Sequence, residues 1–503
     1  MTAPALLRSR AGFDRHRLRL AALLSILLLA TGWFSLVNAA ESTPESAAAP
    51  RDGLGGTWTG TLKAGAADLP LVFQFSPTGG GNFTGTLTST AQSPLPLPFS
   101  QISLRDREVK ASIDSLGGRF EGKIAANGRV IRGEWTQGGH TLPLDLAYQP
   151  GGAPEPRRPQ TPRPPHPYRS EAVTFAPPGA DHRLSGTLTL PEGPTGRVPG
   201  IVLISGSGPQ DRDETIFGHK PFAVIADHLT RQGIAVLRYD DRGTGASTGT
   251  FEYATTLDFA DDAAAAAAHL ASRPEIDPAR VGLLGHSEGG LIAPIVAARH
   301  PDRIACLVLL AGPGLRGDEI LLTQTRALLT ATGQKAALID LTERFQRALF
   351  AVLTQPAPDV NKAREIAATF QAEIAALSPD DAKALAQAAP AIEESMKALQ
   401  TPWFARFLVL DPGDSLRQLS QTPLLALFGE RDLQVLPEPN LAALRRHLEA
   451  AGNTRFTAEI RPGLNHLFQK ATTGLPTEYS QIETTIEPAV LQRIAGWIAE
   501  AVR

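Results

Sequence analysis

The sequence predicts an α/β fold, a doubly wound and mostly parallel sheet with a helical cap insertion, preceded by a small all-β domain. Three observations lead there. From residue 171 onward, apolar runs of strand length alternate with amphipathic runs of helix length. Several strand runs are apolar throughout, as expected of strands covered on both faces. Residues 53–149 instead carry short period-two runs with glycine at the breaks, which points to a small antiparallel barrel or sandwich.

The chain has 503 residues, enough for two or three domains with ample core. Its net charge of −3 gives no electrostatic footprint for nucleic acid or an anionic membrane surface. The single cysteine, Cys306, lies in the apolar run Ile304 to Leu310 and reads as a buried core thiol. No Cys/His cluster has zinc-ligand spacing, so neither a metal nor another cofactor is expected.

The N-terminus predicts export. Arg8, Arg10, Arg15, Arg17 and Arg19 precede an uncharged, mostly apolar stretch over residues 20–40. Val37-Asn38-Ala39 and Asn38-Ala39-Ala40 both offer small residues suited to cleavage. Residues 1–40 are therefore a signal peptide or a membrane anchor, with the body periplasmic or secreted.

Residues 53–149 form the β-rich domain. Thr57 to Leu62, Asn82 to Leu87, Arg119 to Ile124 and Val130 to Trp135 echo one another, which suggests a repeated hairpin unit that packs or binds a partner. Ligand binding inside a barrel is the alternative. Residues 150–168 hold eight prolines, from Pro150 to Pro167, and predict a semi-rigid spacer between domains.

Over 171–503, strands are expected at 172–175, 183–190, 199–205, 234–239, 281–285, 304–311, 423–428 and 455–461. Helices are expected at 219–232, 256–273, 288–299, 438–451 and 485–502. Residues 317–400 break the alternation. They are rich in Ala, Leu, Gln and Glu, and Pro356, Pro358, Pro379 and Pro390 cut them into helix-length pieces. That interval predicts a helical cap over the sheet's C-terminal edge, where it would shape a pocket and exclude water; a peripheral bundle is the alternative.

The chemistry centres on Gly285-His286-Ser287-Glu288-Gly289, which follows an apolar run and precedes a helix-like one. This is the layout of a nucleophile elbow. A second match, Gly245-Ala246-Ser247-Thr248-Gly249, follows a polar turn and reads as loop. A serine hydroxyl needs a base within reach and an acid to orient that base. After an elbow the chain order is Ser, then Asp or Glu, then His. Of 11 histidines only His447 and His466 come late enough. His447 falls in a helix among arginines and reads as surface. His466 falls in a loop after a strand and is the candidate base. Asp432, just past the strand ending at Phe428, is the candidate acid, with Glu430 and Asp411 as runners-up. The oxyanion donors expected are the amide of Glu288 at the helix start and that of Ser207, with Gly206 as the alternative.

Region 171–503 resembles the α/β-hydrolase superfamily, and within it bacterial esterases near the serine-aminopeptidase and dienelactone-hydrolase branches. The residues that carry the resemblance are Ser205–Asp213, Arg238–Gly243, the elbow at 285–289, Trp403 to Pro412, Gly429–Asp432 and Asn465-His466. It implies hydrolysis of a small-molecule carboxylic ester through an acyl-enzyme. A peptidase or amidase on the same residues, an acyltransferase, and a non-catalytic envelope binding protein remain alternatives. Trp403, Phe404 and Phe407 either line the acyl pocket or form the seam between cap and core. The side chain of Glu288 either supports the structure or reads a substrate amine. Asp211, Arg212 and Asp213 are expected to fix the oxyanion loop, and Asp240, Asp241 and Arg242 to brace a neighbouring loop by ion pairing.

Overall fold

A computed structural model describes residues 53–503, except 65–66, 90–95, 138–139, 153–156, 194–195, 356–358 and 378–400. The expected export segment, residues 1–40, and the end of the cap interval lie outside the described residues.

The first domain is one antiparallel sheet between Gly56 and Gln149. Its spatial order begins with Leu97–Pro98 and ends with Gln101–Arg105. Only Phe99 and Ser100 separate these two outermost strands in sequence, so the sheet must roll until its edges meet. Two backbone bonds hold the closure: Phe99 N to Gly85 O at 3.0 Å and Ser100 N to Ser112 O at 2.7 Å. The interior is filled by Trp58, Phe73, Phe75, Phe120 and Trp135, all buried. Phe73 alone meets the rings of Phe75, Phe99, Phe120 and Trp135. This barrel is packed with aromatic side chains, which argues against the ligand-binding alternative. The repeated glycines have a steric reason. Gly122 and Gly133 oppose each other across two strands, and a Cβ on Gly133 would come within 2.5 Å of Glu121 O.

The proline-rich segment does more than space the domains. The Arg158 guanidinium is buried and donates to the carbonyls of Phe217, Ser480 and Ile482 at 2.8, 2.9 and 3.0 Å. Gln160 bonds Ile486 O and the amides of Thr485 and Ile486. Residues 158–160 are thus strapped onto the second domain. Proline supplies stiffness, but the polar residues between the prolines find acceptors. Tyr168, assigned to the spacer on sequence, already begins the first strand of that domain.

The second domain is an eight-stranded sheet. In spatial order its strands are Tyr168–Phe175, Leu184–Pro191, Ala235–Tyr239, Val198–Ile204, Ile276–His286, Leu307–Leu310, Leu424–Gly429 and Phe456–Arg461. The first two pairings are antiparallel and the rest parallel. Side chains alternate between two cores, as period two requires. Val202, Ile204, Leu309 and Phe428 enter one core; Ile201, Leu203, Val308 and Leu427 enter the other. Helices Thr256–Ala271, Gly289–Arg299 and Pro437–Ala450 cover the first face, and Pro221–Arg231 and Pro488–Ala501 the second. The alanine run belongs to Thr256–Ala271, where small side chains let the helix lie close to the sheet; a Thr255/Asp258 capping box starts it.

The cap is inserted between strands Leu307–Leu310 and Leu424–Gly429. Its described helices are Gly317–Ala331, Ala336–Leu353 and Val360–Leu377, and Pro402–Val409 returns the chain to the sheet. Phe345 and Phe370 stack at 4.1 Å between two cap helices. Apolar residues of the cap join the same core as one face of the sheet, so the cap is fixed to the body.

Candidate active site

Strand Ile276–His286 runs into Ser287 and helix Gly289–Arg299 begins two residues later. Ser287 has φ +52°, the left-handed region that costs a non-glycine residue about 1–2 kcal/mol. The flanking glycines are obligatory. A Cβ on Gly285 would lie 2.0 Å from Gly289 O, and one on Gly289 would lie 2.1 Å from Ile204 O. Ser287 N is anchored to Leu310 O at 2.8 Å. Ser247 has a different environment: its hydroxyl donates to Asp240 O and accepts from Ser185 N, and so holds a turn.

Asp432 lies just beyond strand Leu424–Gly429, and His466 lies in the loop after Phe456–Arg461. Asp432 Oδ2 is 2.8 Å from His466 Nδ1, and both side chains are buried. The other oxygen, Oδ1, accepts the amides of Gln434 and Val435 at 2.8 and 2.9 Å, which fixes the carboxylate. Asn465 shapes the histidine loop by accepting the amides of Leu467 and Gln469. The runner-up acids are engaged elsewhere. Glu430 is exposed and accepts Gly463 N, while Asp411 accepts Gly413 N.

The loop after strand Val198–Ile204 lies against the elbow, since a Cβ on Gly206 would sit 3.2 Å from Ser287 Cβ. Asp241 braces this loop by accepting Ser205 Oγ and Gln210 N at 2.9 Å each. Burial drives the Asp241 carboxyl well above its usual range, against those two donors. Arg212 grips Asp240 through Nε and Nη2, and Arg238 pairs with Asp213. Arg242 pairs with Asp262. Arg212, Asp213, Asp240 and Arg242 therefore brace by ion pairing, as their pattern suggested, whereas Asp241 braces through hydrogen bonds and not through an ion pair. Gly206 N donates to Glu214 Oε1 at 2.8 Å. That engagement leaves Ser207 as the loop's candidate oxyanion donor.

The Glu288 side chain is buried. Its Oε1 accepts Thr256 Oγ1 at 2.7 Å and Trp403 Nε1 at 2.8 Å, and the carboxylate also accepts a bond from the Ser207 side chain. Burial raises its carboxyl above the usual range, although these donors favour the anion. Trp403 stacks on Phe407 at 5.0 Å, and Phe404 meets Phe350 of the cap at 6.4 Å. Trp403 thus reaches the elbow through Glu288, while Phe404 lies in the cap seam.

Two residues near the site were not singled out on sequence. Glu214 and His286 are buried, with Glu214 Oε1 2.9 Å from His286 Nδ1. His286 Nε2 is 3.1 Å from His466 O. Burial pulls the His286 imidazolium's pKa down, but the charge and hydrogen bond of Glu214, with the His466 carbonyl, more than offset it and leave it raised. The available signal was position: His286 adjoins Ser287, the candidate nucleophile, and Glu214 adjoins the loop predicted to bind the oxyanion. His447, read as surface, is buried instead, with Nδ1 3.0 Å from Arg417 Nη1. Its helix turns that position inward against Gly413, whose added Cβ would lie 2.6 Å from the imidazole. Cys306 is fully buried, and burial pushes its thiol up to about 12.

A strained serine between strand and helix, at the C-terminal edge of an eight-stranded mostly parallel sheet with a helical insertion, defines an α/β hydrolase, and the chain belongs to that superfamily. The family model for serine aminopeptidases (S33) matches residues 220–470. Esterase EstD of Thermotoga maritima is 28% identical over 320 residues, which span 63% of this chain and 66% of that protein. The α/β-hydrolase domain-containing protein WAV2 of Arabidopsis thaliana is 37% identical over 68 residues, 14% of this chain and 21% of that protein. Proline iminopeptidase of Mycobacterium smegmatis has a solved structure with a TM-score of 0.41 at 18% identity, covering 66% of this chain and 99% of that one.

Proposed function

We propose that this chain is a serine esterase acting on small-molecule carboxylic esters. The observation that carries the reading is the buried Asp432–His466 pair at 2.8 Å, held at the same sheet edge as the strained Ser287 turn. With Nδ1–H donated to Asp432, His466 Nε2 is the nitrogen open to accept a proton. Ser287 Oγ attacks the acyl carbonyl while His466 takes its proton. The amides of Ser207 and Glu288 stabilise the oxyanion, helped by the N-terminus of helix Gly289–Arg299. His466 then gives the proton to the leaving alcohol, and Asp432 steadies the imidazolium. Water, deprotonated by the same histidine, releases the acid and restores Ser287.

Esters are favoured over aminoacyl amides by Glu288. It is the acid next to the nucleophile, and its carboxylate already serves Thr256, Trp403 and Ser207. A carboxylate so engaged is poorly placed to take a substrate ammonium. The similarity to an esterase points the same way. The similarity to serine aminopeptidases makes an amidase on the same residues the reading to test against. Trp403 is the proposed wall of the acyl pocket, with Phe404 supporting it from the cap side.

A panel of p-nitrophenyl esters compared with aminoacyl arylamides tests this choice; faster turnover of the arylamides would overturn it. Export rests on the basic N-terminus and the uncharged stretch 20–40. Fractionation of the full-length protein, with N-terminal sequencing, would find it outside the cytoplasm if that proposal holds.

A further inference from the structure

We propose that Glu214 and His286 form a charged positioning pair that locks the oxyanion loop and the His466 loop around Ser287. The inference rests on the esterase reading above and extends it to residues outside the triad. Glu214 Oε1 accepts both Gly206 N–H, at 2.8 Å, and His286 Nδ1–H, at 2.9 Å. On its other side, His286 Nε2 is 3.1 Å from His466 O. A carboxylate and a carbonyl can only accept, and a neutral imidazole has a single N–H. With Glu214 ionised, only the doubly protonated ring satisfies both, and this is the charged pair proposed: Glu214 carboxylate with His286 imidazolium.

The backbone is bent to make this contact. Glu214 has φ +51° and Phe217 φ +50°, both non-glycine residues in the left-handed region. Asp211 Oδ1 accepts the amides of Asp213 and Thr215 and holds the turn. Such strain persists where neighbouring contacts over-determine it. Glu214 and His286 are only 5% and 7% exposed, so neither charge would be tolerated there without the other. The ionisable groups acting on the ring come from three loops: Glu214, Asp432, and His466, whose ring centroid is 4.8 Å away.

The pair has a job that packing alone would not require. By occupying Gly206 N–H it fixes the peptide that leads into Ser207, the proposed oxyanion donor. By holding His466 O it fixes the backbone of the proposed base. Both groups must be placed to a fraction of an ångström for the chemical step. The sign of the pH effect follows. The raised pKa of His286 means that the lock is intact below that pKa and fails as pH rises through it.

The test is Glu214→Gln in the full-length protein, with ester kinetics across pH. The expected result is a fall in kcat of about tenfold to a hundredfold with KM within about twofold, because misplacement acts on the chemical step. The alkaline limb of kcat should also move to lower pH, since His286 has lost its counter-charge. A variant with wild-type kcat and a superimposable pH profile, even with a lower thermal midpoint, would overturn the proposal and leave only a structural role.

Should the variant fail to fold, nitrogen-15 NMR of histidine-labelled wild-type protein decides, with His286 assigned by comparison with His286→Gln. Both ring nitrogens protonated near neutral pH supports the pair; a neutral ring overturns it. Fluorophosphonate labelling of the wild type separates the two readings. If Ser287 is not labelled, the esterase reading fails, while the charge state of His286 is still decided by NMR.

Discussion

Trp403 Nε1 donates to Glu288 Oε1 at 2.8 Å, which fastens the segment returning from the cap to the residue directly after Ser287. The same oxygen takes Thr256 Oγ1 from the start of the helix beside the elbow. The cap insertion and the Ser287 turn are therefore joined through one buried carboxylate.

Trp403→Phe keeps the aromatic bulk and removes the donor. A hydrogen bond to a buried carboxylate contributes about 1–3 kcal/mol, so the urea midpoint should fall by a corresponding amount. Preference among ester chain lengths should shift as well, because the cap loses its tie to the elbow. Urea unfolding and an ester panel measure both; an unchanged midpoint with an unchanged panel would contradict the role given to this contact.

Asp432→Asn leaves the shape of the site but stops the carboxylate from selecting the Nδ1–H tautomer of His466. In a Ser-His-Asp triad such a change lowers kcat by about 10⁴-fold. KM should change little, since Asp432 is buried behind His466 and is proposed to act through it. Steady-state ester kinetics with circular dichroism would show it. A loss confined to KM would count against the assignment.

His219 makes stability depend on pH. It is fully buried, with Nδ1 2.9 Å from Thr485 Oγ1 and Nε2 2.9 Å from Tyr479 O. Burial lowers its pKa from 6.5 to about 4. The unfolded chain therefore takes up the proton first as pH falls. Stability is whole above about pH 6.5 and is lost as pH drops towards 4, by on the order of 3 kcal/mol. Urea midpoints at about pH 7 and about pH 5 should converge in His219→Gln relative to the wild type. Equal pH dependence in the two proteins would refute this.

Arg158→Ala should loosen the strap from the proline-rich segment. It strips a buried guanidinium from the carbonyls of Phe217, Ser480 and Ile482. Bonds to a charged donor contribute about 1.5–3 kcal/mol, so a loss of about 2 kcal/mol or more is expected in thermal or urea unfolding. A midpoint equal to the wild type would mean that the segment only spaces the domains.

Much of this was legible in the chain. Strand Leu424–Gly429 and helix Gly289–Arg299 are visible because burial on both faces demands unbroken apolar runs. Asp432 stands out because it lies just past an apolar strand, and His466 because it is a late histidine in the loop after the next strand. Glu214 was missed because its partner is 72 positions away and its aim depends on a left-handed turn that no residue pattern announces. His447 was misread because arginine neighbours mark a helix face as polar without saying which way one side chain turns. Arg158 was hidden among prolines, whose stiffness says nothing about what the residues between them reach.

The most direct measurement is labelling by a fluorophosphonate probe in the wild type and in Ser287→Ala, alongside hydrolysis of a short p-nitrophenyl ester. The predicted result is stoichiometric labelling and turnover in the wild type, with both abolished in the folded variant. Labelling or turnover that survives in Ser287→Ala, or a folded wild type that shows neither, would contradict the assignment of Ser287 as the nucleophile of a serine esterase.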